Sequence, residues 1–126
     1  MTTLLYKNEA YEIVGLCMEV HSLLGKGHSE VVYKDALQYE FYRNDIPFER
    51  ERRFDIVYKD IILPHHYFAD FIVFNNIVLE IKAVESLSRS HIKQTLNYLA
   101  ASKLNLGLLV NFGEDSLTYK RVVYNS

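Results

Sequence analysis

Two hydrophobic periods divide the 126-residue chain. The first recurs every three to four residues. Ala10, Ile13, Val14, Cys17, Val20 and Leu24 fall on one stripe, which predicts an amphipathic helix from about Asn8 to Leu24. Asn8 is placed to cap it, and Gly25-Lys26-Gly27 stops it. Val32, Tyr33, Ala36, Leu37 and Phe41 form a second stripe from about Ser29 to Asn44, closed by Asp45-Ile46-Pro47. Glu30 falls in the first turn of that helix, where the dipole favours a carboxylate. Glu19 and His21 are expected on a solvated face.

From Phe48 the period is two. Phe48 to Tyr58 alternates around Phe54, Ile56 and Tyr58, a strand with one wet face. Lys59-Asp60 turns the chain into a second strand, Ile61 to Phe74, in which Pro64 suits a start, a bend or an edge. Asn75-Asn76 reads as a tight turn because Asn tolerates positive φ. Ile77 to Val84 is apolar on both faces, as a covered central strand is. Ser86 or Ser88 caps a third helix that reaches about Lys103. Ile92, Leu96, Leu99 and Ala100 make its buried stripe, while His91, Gln94 and Tyr98 share another face. Leu106 to Phe112 and Leu117 to Tyr124 are the last strands. The order α-α-β-β-β-α-β-β gives an α/β (α+β) domain with a mixed central sheet flanked by helices. The helix between the third and fourth strands allows those two to be parallel.

Composition narrows the setting more than the fold. The length and the absence of any linker or repeat predict one domain spanning 1–126. The single Cys17 has no internal disulfide partner, sits on an apolar stripe and reads as a small core hydrophobe; a cytoplasmic location is expected. No apolar run is long enough to span a bilayer, and no membrane partner is expected. A net charge of −2 argues against broad non-specific binding to nucleic acid, yet leaves room for a local basic rim. Arg50, Arg52, Arg53, Arg89 and Lys93 are the candidate phosphate contacts, although as a group they read first as solvated charges. His65-His66 point to opposite faces of a strand and so read as edge surface, not as a metal pair.

The candidate chemistry lies where charge interrupts the apolar hairpin. Asp70 precedes its first arm; Glu80 and Lys82 end its second. Charges on strands that should be buried are costly unless paired or metal-bound. Two carboxylates and an ammonium on adjacent strands suit a divalent cation held next to a phosphate. Register is the obstacle. A two-residue turn at Asn75-Asn76 would pair Phe74 with Ile77 and Asp70 with Ile81, turning Glu80 and Lys82 away from Asp70. A joint site therefore demands one irregularity. It could be a three-residue loop with Asn76 in the left-handed region, or a bulge beside Asp70.

Asp70 followed by Glu80-Ile81-Lys82 resembles the signature of the PD-(D/E)xK nuclease superfamily. Gly27-His28-Ser29-Glu30-Val31-Val32-Tyr33 resembles the GxxExxY motif of a family of small bacterial proteins within it. The similarity extends through Glu19-Val20-His21, Leu24-Gly25, Ala69-Asp70, Ala83-Val84 and Gly107 to Phe112. Gln94 and Tyr98 match the QxxxY motif of the superfamily's exonuclease-like members in type, spacing and element. The resemblance implies a restriction-endonuclease-like fold and a Mg²⁺- or Mn²⁺-dependent nuclease acting on nucleic acid, DNA in preference to RNA. Asp70, Glu80 and the Ile81 carbonyl are the implied metal ligands, with Glu30 reaching the same ion through water or a second ion. Lys82 would orient the attacking water or stabilise developing charge, and Gln94 and Tyr98 would position substrate or water. The alternative is a catalytically inactive nuclease-fold module that binds nucleic acid or protein.

Overall fold

The computed structural model describes residues 4–125. Its elements are α1 (Lys7–Leu24), α2 (Glu30–Arg43), β1 (Phe48–Tyr58), β2 (Ile61–Val73), β3 (Ile77–Lys82), α3 (Arg89–Ser102), β4 (Leu106–Asn111) and β5 (Thr118–Val123). The order is the one the periodicity predicts. The five strands form one sheet in sequence order, antiparallel except for β3 beside β4. The α3 crossover makes that parallel pair possible.

The sheet is covered on both faces. Phe71, Val73, Ile77, Leu79, Ile81, Leu106, Leu108 and Val110 pack with α1 and α2. Ile72, Val78 and Leu109 pack under α3 with Tyr98 and Leu99. This two-sided covering explains why β3 and β4 are apolar throughout. Helix α3 lies very close to β4 at Gly107, where an added Cβ would come within 2.6 Å of Thr95 Cγ2. Gly107 pairs with Val78 on β3, so this close approach seats α3 directly over the strand that ends in Glu80 and Lys82.

Several local expectations are corrected. Helix α1 is not capped by Asn8; it begins after Tyr6, which has φ 52 and no side-chain cap bond. Tyr6 packs against the core, and its carbonyl accepts from the Ala10 N–H at 2.9 Å to start the helix. His21 is not on a solvated face: it is buried, with Nε2 2.9 Å from the Glu114 carbonyl oxygen. Glu19 is exposed as expected. Ser88 caps α3, and His91 is drawn into that cap: its Nδ1 accepts the Ser88 N–H at 3.0 Å instead of joining Gln94 and Tyr98. Pro64 lies where the β1–β2 register shifts, in the part of β2 that does not pair with β3. Cys17 is fully buried, and burial pushes its thiol pKa up, as befits a small hydrophobe.

Candidate active site

The β2–β3 hairpin pairs Val73 with Ile77, Ile72 with Val78 and Phe71 with Leu79. Its loop is therefore three residues, Phe74 to Asn76, and the next positions in register are Asp70 and Glu80. The left-handed residues are Phe74 and Asn75, not Asn76. Phe74 is held there because its N–H donates to the Pro47 carbonyl at 2.9 Å and its ring packs on the core. The extra loop residue puts Asp70 opposite Glu80 rather than opposite Ile81.

A second irregularity lies at Asp70. Ala69 and Ile72 belong to the same cluster under α3, although they are three residues apart. Simple alternation forbids this, so β2 turns over between them. No residue is inserted: Arg50 pairs with Phe71 and Arg52 with Ala69, leaving Glu51 opposite Asp70 with φ 55. The ladder between β2 and β3 stops at Phe71, and the two strands part. Their carboxylates fill the opening. The Asp70 N–H donates to Glu80 Oε2 at 2.8 Å, and the Ile81 N–H donates to Asp70 Oδ2 at 2.7 Å.

The Ile81 carbonyl faces the same opening. The Lys82 carbonyl accepts from the Phe112 N–H and so points to β4. Alternation then turns the N–H and C=O of Ile81 towards β2, consistent with the Ile81 bond to Asp70. Val78, Glu80 and Lys82 share the α3 face. Lys82 Nζ donates to Gln94 Oε1 at 3.2 Å. Tyr98, one turn further along α3, is buried against Tyr67 with ring centroids 5.1 Å apart. Asp70, Glu80, Ile81, Lys82, Gln94 and Tyr98 are thus gathered around one opening.

Glu30 does not make the contact from α2; Lys34, one turn on, makes it. Lys34 Nζ lies 3.1 Å from Asp70 Oδ1 and 2.7 Å from Glu51 Oε1. Lys34 borders the buried stripe of Tyr33, Leu37 and Phe41, and nothing local in the sequence points to its partners. Among the described residues no three His, Cys, Asp or Glu side chains are grouped closely enough to hold an ion by themselves. Of the basic candidates, Arg50 pairs with Asp35, Arg52 with Glu49 and Arg53 with Asp55, while Arg89 and Lys93 are exposed on α3.

The electrostatics are those of crowded carboxylates. Glu80 is only 2% exposed. Burial, and then the charge of Asp70, raises its pKa well above the ordinary glutamate value. Tyr98 is pushed up to about 12 by burial first and then by the charges of Glu80 and Asp70, so its hydroxyl keeps its proton. For Lys34, burial works against the charged form; the Glu51 hydrogen bond and the Asp70 charge outweigh it and hold the pKa above the usual lysine value.

A polar clamp behind the site also escaped sequence reasoning. Asn111 is fully buried at the end of β4. Its Oδ1 accepts from the N–H groups of Val84 and Gly113, and its Nδ2 donates to the Val84 carbonyl and to Glu114. This fixes the chain just after Lys82. Tyr33, from the GxxExxY-like stretch, is likewise structural. Its hydroxyl donates to the Gly25 carbonyl at 2.6 Å and accepts from the His28 N–H, and its ring stacks on Phe112 at 4.5 Å.

The family model described as the PD-(D/E)XK nuclease superfamily matches residues 7–122. Among solved structures, the chain resembles the crystal structure of SSO0001 with a TM-score of 0.60 and 21% identity. That likeness covers 96% of this chain and 61% of the other, and it concerns the fold alone. No curated protein matches the chain.

Proposed function

The chain belongs to the PD-(D/E)XK nuclease superfamily, and we propose that it is a metal-dependent nuclease of the GxxExxY type, hydrolysing phosphodiester bonds in nucleic acid, DNA in preference to RNA. The observation that carries this reading is the parting of β2 and β3, with Asp70 and Glu80 facing each other across it and Lys82 two residues on.

The donor set fits a hard divalent cation such as Mg²⁺ or Mn²⁺. Mg²⁺ asks for oxygen ligands and commonly takes only one or two carboxylates. Glu80 is buried beside a second carboxylate, and its pKa is raised because the chain alone disfavours its charged form; a bound divalent cation would favour that form. Asp70, Glu80 and the Ile81 carbonyl would hold the ion. Glu30, on the Lys34 face of α2, would reach it only through water. Bound there, a divalent cation supplies charge neutralisation at the scissile phosphate and a more acidic water.

The chain's own groups divide the remaining work. Gln94 fixes the Lys82 ammonium by its 3.2 Å hydrogen bond. Lys82 orients the attacking water and stabilises the negative charge that develops on the phosphoryl oxygens. The Tyr98 hydroxyl, which keeps its proton, would donate a hydrogen bond to substrate or water beside Glu80. Arg89 and Lys93 offer exposed cations on the same helix for the flanking phosphates.

Calorimetric titration of Mn²⁺ into the wild type and Asp70→Ala tests the reading. Micromolar-range binding by the wild type, weakened at least tenfold in Asp70→Ala, is the expected result. Equal affinities in the two proteins would remove the site.

A further inference from the structure

Both carboxylate oxygens of Asp70 are engaged within the chain. Oδ2 accepts the Ile81 N–H at 2.7 Å, and Oδ1 meets Lys34 Nζ at 3.1 Å. The same ammonium lies 2.7 Å from Glu51 Oε1. The Lys34 and Asp70 side chains are only 13% and 14% exposed. Glu51 stands opposite Asp70 with φ 55, a left-handed conformation that is uncommon for a strand glutamate. Strained backbone persists where the surroundings over-determine it, and functional sites are where it gathers. Here it occurs at the residue whose carboxylate holds the ammonium. Lys34 itself borders the stripe of α2 that carries Tyr33 and Leu37 into the core.

Asp70 therefore has two carboxylate neighbours, Glu80 across the opening and Glu51 across β1. Enzymes that use two metal ions place them about 3.5–4 Å apart on shared ligands. Asp70 is placed to be the shared ligand of such a pair, with Glu80 on one side and Glu51 on the other, but the Glu51 side is taken by the Lys34 ammonium. We infer that the Lys34 ammonium is the second cation of this site. It fills, as part of the chain, the place between Asp70 and Glu51 that a second divalent ion would occupy, so that the domain takes one ion and not two. The inference rests on the reading of Asp70 and Glu80 as metal ligands.

Removing the ammonium leaves Asp70 Oδ1 and Glu51 Oε1, both within hydrogen-bond reach of one point, with no cation between them. Mn²⁺ titrated calorimetrically into the full chain reads the count directly. The wild type should bind one ion, Lys34→Met two, and Lys34→Met combined with Glu51→Gln one. One ion in Lys34→Met, two in the wild type, or two in the double variant would each overturn the inference while leaving the Asp70–Glu80 site in place. No binding by the wild type would overturn the site reading and this inference together. Lys34→Gln, followed by thermal melting, replaces Lys34→Met if the latter does not fold, and the same counts decide.

Discussion

Asp70 and Glu80 exchange what a β-ladder would exchange, with side chains in place of carbonyls. The Asp70 N–H is taken by a Glu80 carboxylate oxygen, and the N–H after Glu80 is taken by an Asp70 carboxylate oxygen. Two carboxyl groups are thereby held close together in a nearly dry opening, which favours a retained proton on Glu80 or a cation beside the pair.

The first consequence is a pH dependence with a definite sign. Folding raises the pKa of Glu80, so between the unfolded glutamate value of about 4.3 and the raised folded value the native state holds the extra proton. Stability of the metal-free protein should fall as pH rises through that window. Glu80→Gln keeps an acceptor for the Asp70 N–H without the charge. It should flatten this part of the curve, stabilise the metal-free protein at pH 7 by about 1 kcal/mol or more, and abolish Mn²⁺ binding. Urea titrations at several pH values check the first two effects, and calorimetry checks the third.

Tyr33 is a stability residue. Tyr33→Phe removes the donor to the Gly25 carbonyl and the acceptor for the His28 N–H but keeps the ring on Phe112. The expected cost is about 1–3 kcal/mol, seen as a Tm lower by several degrees. Mn²⁺ affinity should be unchanged; a variant with wild-type Tm and weakened metal binding would contradict this assignment.

Asn111 should be more sensitive. Asn111→Leu has a similar branched outline but strands the Val84 N–H, the Val84 carbonyl and the Gly113 N–H. A loss of about 3 kcal/mol or more is expected, measured by denaturant unfolding. Gly113→Ala should fail for a related reason, since its Cβ would overlap the Val84 backbone held by the same clamp.

The helices and strands were readable because each has its own period, and β1 was predicted residue for residue. The irregular loop followed from chemistry: Asp70 and Glu80 could not share a site in an unbroken two-residue hairpin. Which residues would adopt positive φ was hidden, because Phe74 is held by Pro47, far away in sequence. Lys34, His21 and Asn111 were missed for the same cause. Their partners lie 36, 93 and 27 residues away, and no local pattern announces such pairings. Gln94 and Tyr98 were found because helical spacing carries them to one face, and that face is fixed by the packing of Thr95 on Gly107.

Turnover is the most direct test of the account. Labelled single-stranded and duplex DNA and RNA are incubated with the wild type and with Lys82→Ala in Mg²⁺, in Mn²⁺ and in chelator. The account predicts metal-dependent cleavage of at least one substrate, abolished by chelator and reduced by about 10²–10⁴-fold in Lys82→Ala, while Mn²⁺ affinity is retained. Metal-independent cleavage, equal rates in the two proteins, or tight binding of nucleic acid with no cleavage under any metal would contradict it, the last leaving a nuclease-fold binding module in its place.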